Sequence, residues 1–247
     1  MSSSSGASAR SDYSDIRGDD VGSLPLGDGS GEWSDAVNRL DKYLDNHERP
    51  ELGAEWAQQQ QARLIATDRS AREWADSTVL LTATASKTWP ESDDLIPPIT
   101  HYRRGITRTK EARAKALSRA LSGSRWRAVR VFGAGEDGFL HVHVGVYVDE
   151  KVDVDRFDRW VRAHVDNSPL ATDEAHDSGA VRIERVGDDN DGVTGLEGYL
   201  SKNALGLDTT GEREHGLGSA PIHRKRAGSV LRAVGADPVR YGRTSRD

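Results

Sequence analysis

Apolar positions between residues 33 and 75 recur at helical spacing: Trp33, Ala36, Val37, Leu40 and Leu44, then Leu52, Trp56 and Leu64. The break at Glu48-Arg49-Pro50 divides this stretch into two predicted helices. At Ser77 the period changes, and the β-branched, apolar run Ser77 to Ala85 predicts a strand. A loop carrying Pro90, Pro97 and Pro98 follows. Thr109 stands where it would cap a helix with apolar positions Ala112, Ala116, Leu117, Ala120 and Leu121, stopped by Gly123. Trp126–Phe132 and Phe139–Val148 read as two strands of a hairpin around the turn cluster 133–138. Val152–Val165 predicts a helix, Ala180–Val186 a fourth strand, and Val193–Leu205 a final helix closed by Gly206.

The order βαββαβ predicts an α+β fold of ferredoxin-like or RRM-like type: an antiparallel sheet with helices on one face, the other face open, and a helical N-terminal segment. The expected organisation is a disordered Ser/Gly/Asp-rich tail over 1–31, the helical segment over 32–76, the main domain over 77–207, and a basic, partly flexible tail over 208–247.

Within Phe139–Val148, side chains alternate between faces. Leu140, Val142, Val144, Val146 and Val148 form an unbroken aliphatic set, while Phe139, His141, His143, Gly145 and Tyr147 share the other side. Two His at i and i+2 on one strand face are near enough to share a divalent ion. The same two residues also suit a wet sheet face, and the spacing alone leaves both readings open. On the final helix Tyr199 and Lys202 are three apart and share a face. A phenol beside an ammonium group is favoured as phenolate and can act as a nucleophile; a half-buried Tyr with a snorkelling Lys fits the same spacing. Thr82 and Thr84 share a face of the first strand, from which a hydroxyl could hydrogen-bond a ligating His.

Charge sharpens this picture. The 247 residues contain no Cys, which excludes a disulfide scaffold, a thiolate metal site and a Cys nucleophile. No apolar run approaches the roughly 18 residues of a membrane helix, and the N-terminus has no secretory h-region, so a cytoplasmic protein without membrane attachment is expected. Asp outnumbers Glu by 26 to 14 and Arg outnumbers Lys by 27 to 7, a solvation pattern suited to high salt. Two basic islands interrupt an acidic chain of net charge -6: residues 101–130 carry +9 and residues 221–247 carry +5. They predict a phosphate-tracking surface built from Arg103, Arg104, Arg108, Lys110 and Arg113 in the first, and Arg224, Lys225 and Arg226 in the second.

Leu80-Leu81-Thr82-Ala83-Thr84-Ala85, then Phe139-Leu140-His141-Val142-His143, then Tyr199-Leu200-Ser201-Lys202 stand in the order of the three motifs of HUH endonucleases. The chain resembles the rolling-circle replication initiators of that superfamily, those of haloarchaeal plasmids and viruses above all, over residues 77–207. The resemblance implies that His141 and His143 hold Mg²⁺ or Mn²⁺, that Tyr199 attacks a scissile phosphate of single-stranded origin DNA to leave a 5′-phosphotyrosine, and that Lys202 supports the phenolate or positions the metal and phosphate. It makes 77–207 an HUH endonuclease domain of single-tyrosine type, since positions 195 and 203 are Gly and Asn. A third metal ligand is not fixed by the motifs; Glu136 in the turn and Glu184 on the fourth strand are the candidates. With no GxxxxGK[ST] motif, a host helicase would unwind and a host polymerase extend. The same site would serve a relaxase or a single-tyrosine transposase. A non-catalytic RRM-like strand-binding module, or a phosphodiesterase using water, are the readings from other classes. The oligomeric state is left open.

Overall fold

A computed structural model describes residues 32–47, 51–176, 179–185, 196–207, 216–218 and 220–242. The expected tail over 1–31 lies outside these residues. The strands are β1 (Ser77–Ala83), β2 (Trp126–Ala134), β3 (Leu140–Val148), β4 (Val181–Arg185) and β5 (Val239–Tyr241). They form one sheet in the order β4-β1-β3-β2-β5, and every neighbouring pair is antiparallel. β1 and β2 therefore run parallel with β3 between them, which is the split βαβ arrangement predicted from the element order.

The helices are α1 (Glu32–Asn46), α2 (Ala54–Arg72), the single turn α3 (Pro98–Thr100), α4 (Lys110–Ala120), α5 (Asp158–Val165), α6 (Leu196–Asn203) and α7 (Ile222–Val234). A π-helical segment, His101–Thr107, leads into α4 where the sequence pattern showed only a Pro-containing loop. Thr109 does not cap α4; its hydroxyl is turned to His164 and to the Ile106 carbonyl.

The aliphatic face of β3 packs as expected: Leu140, Val142, Val146 and Val148 join one core with Leu117 and Leu121 of the α4 region, Phe157, Trp160 of α5, and Val230 and Leu231 of α7. Trp126 packs against that same core. The opposite face is not open. Leu64 and Ala71 of α2, Leu196 and Leu200 of α6 and Ala204 just after it bury Leu80, Val129, Val131 and Tyr147 there. Polar ties fix this cover: the Tyr147 hydroxyl donates to Asp68 of α2 at 2.7 Å, and the Tyr241 hydroxyl donates to the Gln60 carbonyl at 3.0 Å. The expectation of helices on one face is thus corrected to helices on both. Helical spacing over residues 33–75 suits a packing cap on the main domain, and α2 takes that place through Ala57, Leu64 and Ala71.

The segment expected as a basic tail is also built into the fold over 222–241. α7 packs on α1, with Lys225 paired to Asp41 at 2.8 Å, and β5 extends the sheet beside β2. Among the described residues no helix is long and apolar enough to cross a membrane.

Candidate active site

The register sets His143 between Thr82 of β1 and Val131 of β2, and sets His141 opposite Gly133. Directly opposed residues of an antiparallel pair project from the same face. His141 and His143 therefore share the face that carries α6, with ring centroids 4.7 Å apart. Two glycines make the arrangement possible. A Cβ on Gly133 would collide with the His141 ring, and a Cβ on Gly145 would lie 2.7 Å from Leu200 and 2.9 Å from Leu196. The bare backbone at Gly145 lets α6 settle on β3, and that seating brings the Tyr199 ring edge-on to His143 at 5.4 Å between centroids.

Hydrogen bonding defines the state of the pair. His143 Nδ1 lies 3.0 Å from the Thr82 hydroxyl. With Nδ1–H donating to that oxygen, the lone pair rests on Nε2, which is buried and has no hydrogen-bond partner among the described residues. Burial, reinforced by the neighbouring His141, pulls His143 down to about 3. Burial likewise pulls His141 down to about 4, with Asp137 opposing and Arg224 and His101 adding to the effect. Both imidazoles are neutral at neutral pH, the form that binds a metal. A buried, unpaired ring nitrogen beside a second neutral imidazole, with the first ring held by a hydroxyl at its far nitrogen, fits the donor chemistry of a divalent cation. Among the described residues no third His, Asp or Glu joins them in a ligand cluster.

Tyr199 is half-buried, and burial raises its hydroxyl above the usual phenol value; Arg182 of β4 acts against that rise. Lys202, the cation expected beside it, is exposed, and its carbonyl accepts from Arg224 at 2.7 Å. Arg182 was missed because a single Arg on a short edge strand carries no spacing signal. Its register partner Leu80 lies on the buried face beside Thr82, so pairing could have found it once the strand order was known.

Neither proposed third ligand is confirmed. Glu136 is exposed at the turn, and the acid whose charge reaches His141 and His101 is its neighbour Asp137, held by the Phe139 N–H at 3.1 Å and Lys87 at 3.1 Å. Glu184 pairs with Thr78, four residues along β1 from the row of Thr82 and His143, roughly 13 Å away at about 3.3 Å per residue; its side chain lies outside the described residues. That separation removes it as a ligand for this pair.

Of the basic residues, Arg103, Arg104, Arg108 and Lys110 are exposed, and Arg104 lies 5.6 Å from the Trp89 ring. Arg113 is not on the surface as expected. It is 6% exposed and donates to the Ile106 carbonyl at 2.8 Å, because helical spacing turns it inward beside Ala116 and Leu117. Arg224, Lys225 and Arg226 begin α7, which lies against the β2–β3 turn through Arg226 and Gly138; Lys225 is engaged by Asp41.

Further His residues are buried elsewhere. His101, whose ring lies 4.9 Å from Phe139, has Nε2 3.2 Å from the Ala85 carbonyl. His164 and His176 form a second close pair, 4.8 Å between centroids, around the backbone of Thr84. No spacing in the sequence marked them.

The comparison with known families decides what this constellation belongs to. Residues 37–215 match the family described as "Putative rep protein (DUF1424)". The chain belongs to this rep protein family. The matched span takes in β1, the His pair and Tyr199 together with α2 and most of α1, so the helical segment is part of the family's common region. Two relatives are each named "Uncharacterized 36 kDa protein". One, from Halobacterium salinarum, is 29% identical over 70% of this chain and 64% of its own length. The other, from Halobacterium sp. (strain GN101), is 31% identical over 59% of this chain and 49% of its own. The rep protein chain thus spans between about half and two thirds of these relatives. No solved structure matches it.

Proposed function

We propose that this rep protein is an HUH-type endonuclease and strand transferase that nicks single-stranded DNA at a plasmid or viral origin and starts rolling-circle replication. The observation that carries the reading is the meeting of a buried, unpartnered His143 Nε2 with the Tyr199 ring on a facing helix. A metal-binding nitrogen and a nucleophilic phenol at one spot are what metal-assisted phosphoryl transfer requires.

His141 and His143 would hold Mg²⁺ or Mn²⁺, which when bound polarises the phosphate and offsets its charge. Thr82 fixes the His143 ring so that Nε2 faces the site. The Tyr199 oxygen forms the new bond to phosphorus while the bond from phosphorus to the 3′-oxygen breaks. The phenol gives its proton to water, and the departing 3′-oxygen takes one back from water to become the 3′-OH that a polymerase extends, with no net change in protons. Burial resists phenolate formation, so Arg182, with Lys202 able to swing over the phosphate, supplies the opposing positive charge. The phosphotyrosine keeps the bond energy, so a later 3′-OH can rejoin the strand without ATP. A host helicase and polymerase would complete replication.

A non-catalytic strand-binding module is less well supported, because α2 and α6 occupy the sheet face such a module would use. A relaxase or transposase would share the chemistry and differ in the DNA recognised. The test is transfer of label from single-stranded origin DNA to the protein with Mn²⁺ at high KCl. Tyr199→Phe should bind the DNA normally and form no adduct. Transfer that persists in that variant would move the reading to water as nucleophile.

A further inference from the structure

A pocket of about 240 Å³ opens on the sheet face away from the His pair, between the start of α4, β2 and the chain leaving α7. Its floor is apolar, with Phe132, but its walls bring together Lys110, Arg113, Arg130 and Arg240 against the single carboxylate of Asp237. Arg130 and Arg240 stand directly opposite each other in the β2–β5 register. Like charges in that relation repel and destabilise a sheet. Arg113 donates to the Ile106 carbonyl at 2.8 Å and Arg130 to the Asp237 carbonyl at 3.3 Å, yet the Nε of each is buried without a hydrogen-bond partner among the described residues. Burial and the charge of Arg130 pull Arg113 down to about 10. A buried guanidinium with an unmet donor costs about 1–3 kcal/mol or more. Four cations set against one carboxylate add to that cost.

We propose that this pocket is an anion site that takes one phosphate group, supplied by the backbone of a bound DNA strand. A phosphate would meet both orphaned donors and neutralise the facing charges, and Arg is suited to bidentate phosphate contact. The volume admits a phosphate with part of a sugar and falls short of the roughly 300 Å³ at which small-molecule pockets begin. Exposed Arg103 and Arg104 on the π-helical segment and Arg108 just after it stand close in the chain to Thr107 and Lys110 of the pocket lining, and this run of exposed positive charge favours a strand over a free ion. The site lies on the opposite sheet face from Tyr199, so it does not depend on cleavage there.

The test uses the full chain and two variants, Arg130→Gln and Arg240→Gln. At fixed KCl, millimolar inorganic phosphate should raise the wild-type Tm by several degrees, and the rise should shrink or vanish in both variants. Their Tm without phosphate should equal or exceed that of the wild type, because a repulsive charge has gone. Affinity for a single-stranded oligonucleotide should fall about tenfold in each, with the slope of log K against log salt flattened by about 0.7 per lost contact. The rate of adduct formation at saturating DNA should not change, which separates failure here from failure of the nuclease reading. A phosphate response with unaltered DNA affinity would overturn the strand assignment in favour of a small phosphate. No phosphate response, with both variants less stable than wild type, would overturn the site itself.

Discussion

Two histidine pairs sit in this protein with nearly the same geometry. His141 and His143 have ring centroids 4.7 Å apart at 76°, and His164 and His176 have theirs 4.8 Å apart at 67°. His143 is 4% exposed, His164 0% and His176 3%. What separates the pairs is where the nitrogens go. In the second pair every ring nitrogen is engaged: His164 by Thr109 and the Thr84 carbonyl, His176 by the Thr84 N–H and the Thr172 carbonyl. Together they clamp both backbone groups of Thr84 just beyond β1. In the first pair the Thr82 contact is answered by a buried Nε2 with no hydrogen-bond partner among the described residues. Buried polar atoms in native proteins are paired, so full pairing marks the second pair as a structural clamp, while the orphan at the first supports the proposed ligand site.

The comparison breaks first at His143→Ala. That variant should keep its fold and lose metal-dependent strand cleavage by about a thousandfold or more, since the polarising ion leaves with its ligand. Circular dichroism and the label-transfer rate on one preparation check both halves. His164→Ala should do the reverse. It leaves the Thr84 carbonyl without its His164 partner and the Thr109 hydroxyl with the Ile106 carbonyl as its remaining partner, and opens a cavity, for a loss of about 2–4 kcal/mol in urea unfolding, with unchanged cleavage per folded molecule.

Acid should act through the clamp as well. Burial holds His164 down to about 3, below its ordinary 6.5 in an unfolded chain. Between those values the unfolded state binds the extra proton, so stability is complete above about pH 6.5 and falls as pH drops towards 3. The slope approaches about 1.4 kcal/mol per pH unit for this residue. Because His141 and His143 are held down in the same way, urea midpoints from pH 7 to 4 should fall more steeply than this in the wild type, and the slope in His164→Gln should be shallower by about 1.4 kcal/mol per pH unit.

The order of strands and helices was readable from the periodicity because β3 alternates cleanly and its aliphatic face must be buried. The same alternation placed His141 and His143 side by side, and helical spacing placed Tyr199 and Lys202 on one face of the final helix. What the sequence hid depends on pairings distant along the chain. Arg182 reaches the Tyr199 neighbourhood only through the β4–β1 register, and the polar ties from Tyr147 and Tyr241 that fix α2 on the sheet join residues far apart in the chain. Arg113 looked like surface charge because composition does not tell which side of α4 faces Trp160. The second His pair has no local signature, since its shared partner is the backbone of Thr84.

The smallest expected contrast sharpens the comparison at the supporting hydroxyls. Thr82→Val should weaken Mn²⁺ binding about ten- to a hundredfold by calorimetry without loss of stability, because it frees the His143 ring to turn. Thr109→Val should cost about 1–2 kcal/mol and leave Mn²⁺ binding as it was.

The most direct measurement is intact-mass and peptide mass spectrometry of the full chain after incubation with a single-stranded origin oligonucleotide and Mn²⁺. The account predicts one adduct per chain, equal in mass to the downstream DNA fragment with its 5′-phosphate and mapped to Tyr199. Cleaved DNA with no adduct, or an adduct on a different residue, would contradict it.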